Sequence, residues 1–152
     1  MEWTRGEYVL TDARERADVD VVHGYLTRSY WAEGIPRATV ERSLDHSLCL
    51  NLWHAPSGLD GEDAAHVGFA RVVSDFATVA YLGDVYVLDP HRGRGLSRWM
   101  METLNAHPRL QGLRRWILLT RDAHGLYEKC GWTKVARPDR YMERWDPDVY
   151  RR

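Results

Sequence analysis

Asp89-Pro90-His91-Arg92-Gly93-Arg94-Gly95-Leu96-Ser97 is the stretch on which the reading of this chain turns. A β-like run, Ala77 to Leu88, leads into it, and beyond it Leu96, Trp99, Met100 and Leu104 recur at helical spacing until Pro108. A strand that becomes a helix through such a turn gathers unpaired backbone N–H groups at the positive end of the helix dipole. That space suits a phosphate or pyrophosphate. Gly93 and Gly95 let the backbone approach without a Cβ in the way, Ser97 is small, and Arg92, Arg94 and Arg98 add positive charge.

Upstream, Tyr8-Val9-Leu10 reads as a short strand, followed by a helix carrying Val19, Val22, Tyr25 and Leu26. Gly34 and Pro36 break it, and a second helix with Val40 and Leu44 follows. Leu48 to Trp53, Val67 to Val73 and Ala77 to Leu88 read as three hairpin-linked antiparallel strands. Downstream come a buried strand, Trp116 to Leu119, and a helix capped by Asp122 with Ala123, Leu126, Tyr127 and Cys130 on one face, leaving through Gly131. A strand from Trp132 to Val135, and another near Tyr141 and Met142, complete the expected order β-α-α-β-β-β-α-β-α-β. Residues 1–152 form a single expected domain, without repeat or linker.

Composition narrows the function. The apolar fraction of 44 %, with seven Trp and eight Tyr, excludes a disordered chain. A net charge of −1 leaves no global attraction for nucleic acid or anionic membranes. Cys49 and Cys130 have no neighbouring Cys and read as buried thiols, and no His pair has metal-ligand spacing, so no metal is assigned. No signal core or membrane-spanning run is present, which gives a cytoplasmic setting as the expectation.

Other phosphate motifs fit the turn poorly. A P-loop needs a Gly-Lys-Ser/Thr ending that is absent, and a dinucleotide fingerprint belongs in an opening βαβ unit, not after antiparallel strands. The spacing of Arg92, Gly95 and Ser97 resembles the coenzyme A signature of the GNAT superfamily of N-acetyltransferases, with Ser97 where Gly or Ala is usual. Ala123, Tyr127, Gly131 and Trp132 resemble the family's second motif, with Thr120 where an Asn is frequent. The two motifs and the element order cover roughly residues 65 to 135.

The resemblance implies an α/β (α+β) fold: a mixed, mostly antiparallel twisted sheet flanked by helices on both faces, with a splayed central strand pair. It implies acetyl-coenzyme A as cosubstrate, with the turn from Arg92 to Ser97 on its pyrophosphate. The backbone of Val85, Tyr86 and Val87 would pair with the pantetheine arm, and Thr120 and Ala123 would lie beside it. Tyr127 is then the candidate general acid for the departing thiolate. Asp84 is the candidate base, with His124, Tyr81 or no dedicated base as alternatives. The aromatic loop between the first two helices is the expected acceptor site, Tyr30 and Trp31 as walls and Glu33 as attractant for an ammonium.

Acetyl transfer to a primary amine by direct attack is the expected function, with a small-molecule amine as acceptor ahead of a protein N-terminus or lysine. A non-catalytic acyl-coenzyme A-binding regulatory domain is the rival. Expected partners are the amine and, at most, a second copy in a homodimer, with neither nucleic acid nor membrane.

Overall fold

The computed structural model describes residues 1–152 as one six-stranded sheet in the order β1-β2-β3-β4-β5-β6. The strands are β1 (Glu2–Arg5), β2 (Tyr8–Thr11), β3 (Leu48–His54), β4 (Ala65–Ser74), β5 (Val79–Val87) and β6 (Arg115–Leu118). All neighbours run antiparallel except β5 and β6. That reversal follows from the crossover helix α3 (Leu96–Ala106), since parallel strands need a long connection over one face.

The helices cover both faces. Leu96, Met100, Met101 and Leu104 of α3 pack on Leu50, Leu52, Val72 and Leu82, joined by Tyr127 of α4 (His124–Glu128). On the other face, Val22 and Leu26 of α1 (Val19–Leu26) and Val40 and Leu44 of α2 (Arg37–Asp45) meet Cys49, Phe69 and Tyr86. Full burial of each large apolar side chain contributes roughly 1.5–3 kcal/mol, so this two-sided core stabilises the sheet that carries the site. Asp18 starts α1, its carboxylate accepting from the amides of Asp20 and Val21 at 3.1 Å.

One irregularity matters for function. Phe69 faces Tyr86 and Arg71 faces Gly83, so a single residue on β4 opposes Asp84 and Val85 on β5. This β-bulge holds Asp84 in the left-handed region, φ 54°, and reverses the alternation of β5. Leu82 therefore faces α3, whereas Tyr86 faces α1 and α2.

Four expectations need correction. The chain starts with a strand, β1, ahead of Tyr8. Neither Trp132–Val135 nor the Tyr141–Met142 region joins the sheet. The Trp132 amide is taken by the Tyr127 carbonyl at 3.1 Å, and its ring packs edge-on against Trp116 at 5.9 Å. The residue is thereby fixed as the exit of α4. At the other end of that helix, Thr120 Oγ1 rather than Asp122 accepts the Ala123 amide, at 3.0 Å.

Candidate active site

Leu88 ends the β4–β5 pairing by donating its amide to the Val67 carbonyl at 2.8 Å. A short turn, Asp89–His91, leads on to Gly93 and Gly95, both left-handed with φ of 76° and 73°. Gly95 is the N-cap of α3 and supplies no side-chain cap. The amides of Gly93, Arg94, Gly95, Leu96, Ser97 and Arg98 consequently have no acceptor in the protein, and they converge at the positive end of an 11-residue helix. Such a run of free N–H groups is an anion cradle.

The arginines around it differ. Arg92 donates Nε to the Val87 carbonyl at 2.9 Å, pairs with Asp89 at 2.9 Å and reaches the Tyr25 hydroxyl at 3.3 Å. Arg98 is held by Glu102 at 2.8 Å. Only Arg94 of the three keeps its guanidinium free of protein partners.

Beside the turn the sheet opens. The parallel pairing of β5 with β6 ends at Leu82 and Leu118, while β5 runs on to Val87. Since Leu88 donates toward β4, alternation sends the Val87 amide toward the gap. The gap widens into a cleft of about 640 Å³ that brings together Tyr30, Trp31, Tyr81, Asp84, Val85, Thr120, Ala123 and Tyr127, with Trp145 and Tyr150 from the C-terminal segment.

Over residues 60–134 the chain matches the family described as an acetyltransferase (GNAT) domain. A crystal structure of a GNAT-family protein from Xanthomonas campestris pv. campestris is 46 % identical and superposes with a TM-score of 0.85, covering 94 % of this chain and 96 % of that one. This chain belongs to the GNAT family. A Gibberella zeae protein whose name provisionally assigns it to the acetyltransferases is 34 % identical over 115 residues, which are 68 % of this chain and 65 % of that protein. A Clostridium acetobutylicum acetyltransferase crystallised with acetyl-coenzyme A shares the fold at a TM-score of 0.61 and 17 % identity, over 90 % of this chain and 93 % of that one.

In this GNAT domain Asp84 is an engaged carboxylate. Its Oδ2 accepts from Arg71 Nε at 2.6 Å and its Oδ1 from Trp31 Nε1 at 3.0 Å, while Arg71 also donates to Ser47 Oγ at 3.2 Å. Tyr30 stands edge-on to Trp31 at 5.1 Å and accepts the Arg121 amide at 3.1 Å, with the Arg121 guanidinium 3.8 Å above its ring. The aromatic loop therefore does face the cleft.

Glu33 does not line it. Gly34, at φ 76°, turns the chain back so that its amide meets the Thr27 carbonyl at 3.0 Å, leaving Glu33 on the exposed tip. The carboxylates that do line the cleft are those of Asp84 and Asp122. His124 likewise falls outside the cleft, whereas Thr120 lines it, its hydroxyl oxygen accepting the Ala123 amide and its own O–H left to donate.

Tyr127 is 9 % exposed and packs against Trp132 at 6.0 Å, and its hydroxyl has no partner in the protein. Burial, then the nearby Tyr30, Cys130 and Tyr81, push the phenol up to about 12. It stays protonated at any working pH. Arg71, Trp145 and Tyr150 escaped sequence reasoning. Arg71 alone left a signal, a lone cation inside the apolar run Val67 to Val73.

Proposed function

We propose that the chain transfers an acetyl group from acetyl-coenzyme A to the primary amine of a small molecule. What supports this reading is the cleft at the β5–β6 divergence, which Tyr127 and Asp84 line together, with the free amides of the turn following at the end of the same strand, β5. The pyrophosphate lies on the amides from Gly93 to Arg98, the pantetheine arm takes the free edge of β5 from Val85 to Val87, and a backbone N–H there polarises the thioester carbonyl.

The neutral amine attacks the carbonyl carbon, the new C–N bond forms, and the C–S bond breaks with its electron pair on sulfur. Tyr127 donates to that sulfur and supplies its proton. The proton shed by nitrogen leaves through water, which restores Tyr127. Asp84, held already by Arg71 and Trp31, serves better as a ligand that orients the acceptor's ammonium before deprotonation than as a proton carrier. Tyr30, Trp31, Tyr81 and Trp145 surround it with aromatic faces, which favour a compact cation or an aryl-bearing amine.

Release of free thiol from acetyl-coenzyme A, measured across a panel of arylalkyl, aliphatic and peptide amines, tests the proposal. Steady release with small arylalkyl or aliphatic amines is expected. Coenzyme binding with no amine-dependent release across the panel would overturn it in favour of a regulatory acyl-coenzyme A-binding domain.

A further inference from the structure

The β1–β2 hairpin is fastened to the phosphate turn. Arg5 ends β1 and pairs across the hairpin with Tyr8, and the Tyr8 hydroxyl is hydrogen-bonded to His91 Nδ1 at 2.9 Å. The same two rings meet edge-on at 5.8 Å. His91 lies two residues before Gly93, so this contact fixes the hairpin end beside the turn.

From there Arg5 reaches the cradle itself. Its Nη2 and Nη1 lie 3.8 and 3.9 Å from the position a Cβ on Gly95 would take, which places both terminal nitrogens over the open side of the N-cap of α3. Arg5 makes no hydrogen bond or ion pair within the protein, although Glu2 and Glu7 share its hairpin and Glu7 pairs instead with His54 at 3.4 Å. Of the cations in the turn's own sequence, Arg92 and Arg98 are spent on Asp89 and Glu102, which leaves Arg94 and the hairpin's Arg5 with free guanidinium groups.

We infer that Arg5 is a donor-binding residue, whose guanidinium grips the pyrophosphate of acyl-coenzyme A against the free amides around Gly95. This rests on the donor reading given above. Two adjacent N–H donors on one rigid fork match two oxygens of a pyrophosphate, a geometry that a lysine ammonium reproduces only in part. An arginine that merely lay solvated over a glycine would share the position and the exposure. It would not change the affinity for a phosphate ligand beyond general screening.

Calorimetric titration of coenzyme A and of dephospho-coenzyme A into the full-length protein, its Arg5→Ala variant and its Arg5→Lys variant separates these cases. Arg5→Ala is expected to weaken coenzyme A roughly tenfold at low salt, as for one charge-assisted contact. The gap should narrow as added salt shortens the Debye length. Arg5→Lys should recover part of it, and dephospho-coenzyme A, which keeps the pyrophosphate, should lose the same factor. Arg5→Gln, which retains the aliphatic stem, carries the test if alanine loosens the hairpin. Wild-type affinity in Arg5→Ala at low salt overturns the inference, and so does a loss confined to coenzyme A, which would place the contact on the ribose phosphate. A wild-type protein that binds neither coenzyme removes the donor reading itself, a result distinct from a wild type that binds both while Arg5→Ala matches it.

Discussion

Replacing Tyr127 by Phe removes one oxygen from the cleft and little else. The hydroxyl has no protein partner, so its loss leaves no orphaned donor or acceptor, and the ring keeps its contact with Trp132. Stability should change by less than about 0.5 kcal/mol, as for substitutions that break no buried bond. The rate is another matter. Burial holds the phenol near 12, whereas an alkyl thiol has a pKa of about 8.5, so complete proton transfer to the departed thiolate is uphill by about 5 kcal/mol, and transfer ahead of C–S cleavage, to a far less basic sulfur, is steeper still. The proton must therefore move as charge develops on the sulfur. That places Tyr127 at the weaker end of general-acid effects, roughly 100-fold in kcat, or about 3 kcal/mol of barrier. Free-thiol release at saturating donor and amine measures it. An acetyl donor with a more acidic thiol should shrink the defect of Tyr127→Phe, because a better leaving group has less need of the proton. Full turnover in Tyr127→Phe with the ordinary donor would refute the acid role, and a change confined to KM would reduce Tyr127 to a binding contact.

Two further outcomes follow from the same geometry. Gly95→Ala puts a Cβ on a residue at φ 73°, which costs about 1–2 kcal/mol although the nearest atom, on Arg5, is no closer than 3.8 Å. Coenzyme A affinity should fall tenfold or more by titration as the turn relaxes, and unchanged affinity beside a measured stability loss would show that the turn does not grip phosphate. His66 is 4 % exposed, and burial pushes it down to about 4 from the ordinary 6.5. The unfolded chain therefore binds the proton first: stability is fully present above about pH 6.5 and is lost as pH falls toward 4, by about 2 kcal/mol at pH 5. Denaturant titrations at pH 7.5 and 5 should show the wild type losing about that much more than His66→Gln. Equal losses in both would exclude His66 as the source.

The glycine turn was legible because its pattern is local: two glycines, a helix with an unmistakable stripe, and a β-rich approach lie close together along the chain. What lay in the sequence only at long range was lost. Asp84 reads as a free acid until its partners are known, and these sit 13 residues away in Arg71 and 53 away in Trp31. β1 escaped because Glu2-Trp3-Thr4-Arg5 buries little and is held chiefly by pairing with β2. The opposite error befell Trp132 to Val135, where β-like composition was read as a strand. Composition cannot show that the Trp132 amide closes the preceding helix.

The β-bulge at Asp84 ties these observations to function. A non-glycine residue in the left-handed region costs roughly 1 kcal/mol, and here the ion pair with Arg71 and the bond from Trp31 offset it. The same extra residue reverses the alternation of β5 just beyond Leu82, where its pairing with β6 stops. Tyr86 thereby turns to stack on Tyr25 of α1 at 3.8 Å, and Asp84 comes to line the cleft. A regular strand through Gly83 to Val87 would keep Leu82 and Tyr86 on one face and leave α1 without its stacking partner. The irregularity thus sets which helix β5 packs on and where its free edge begins, and the aromatic loop is fixed to it through Trp31; on the function proposed above, it also sets where the acceptor's charge partner and the donor's strand edge lie.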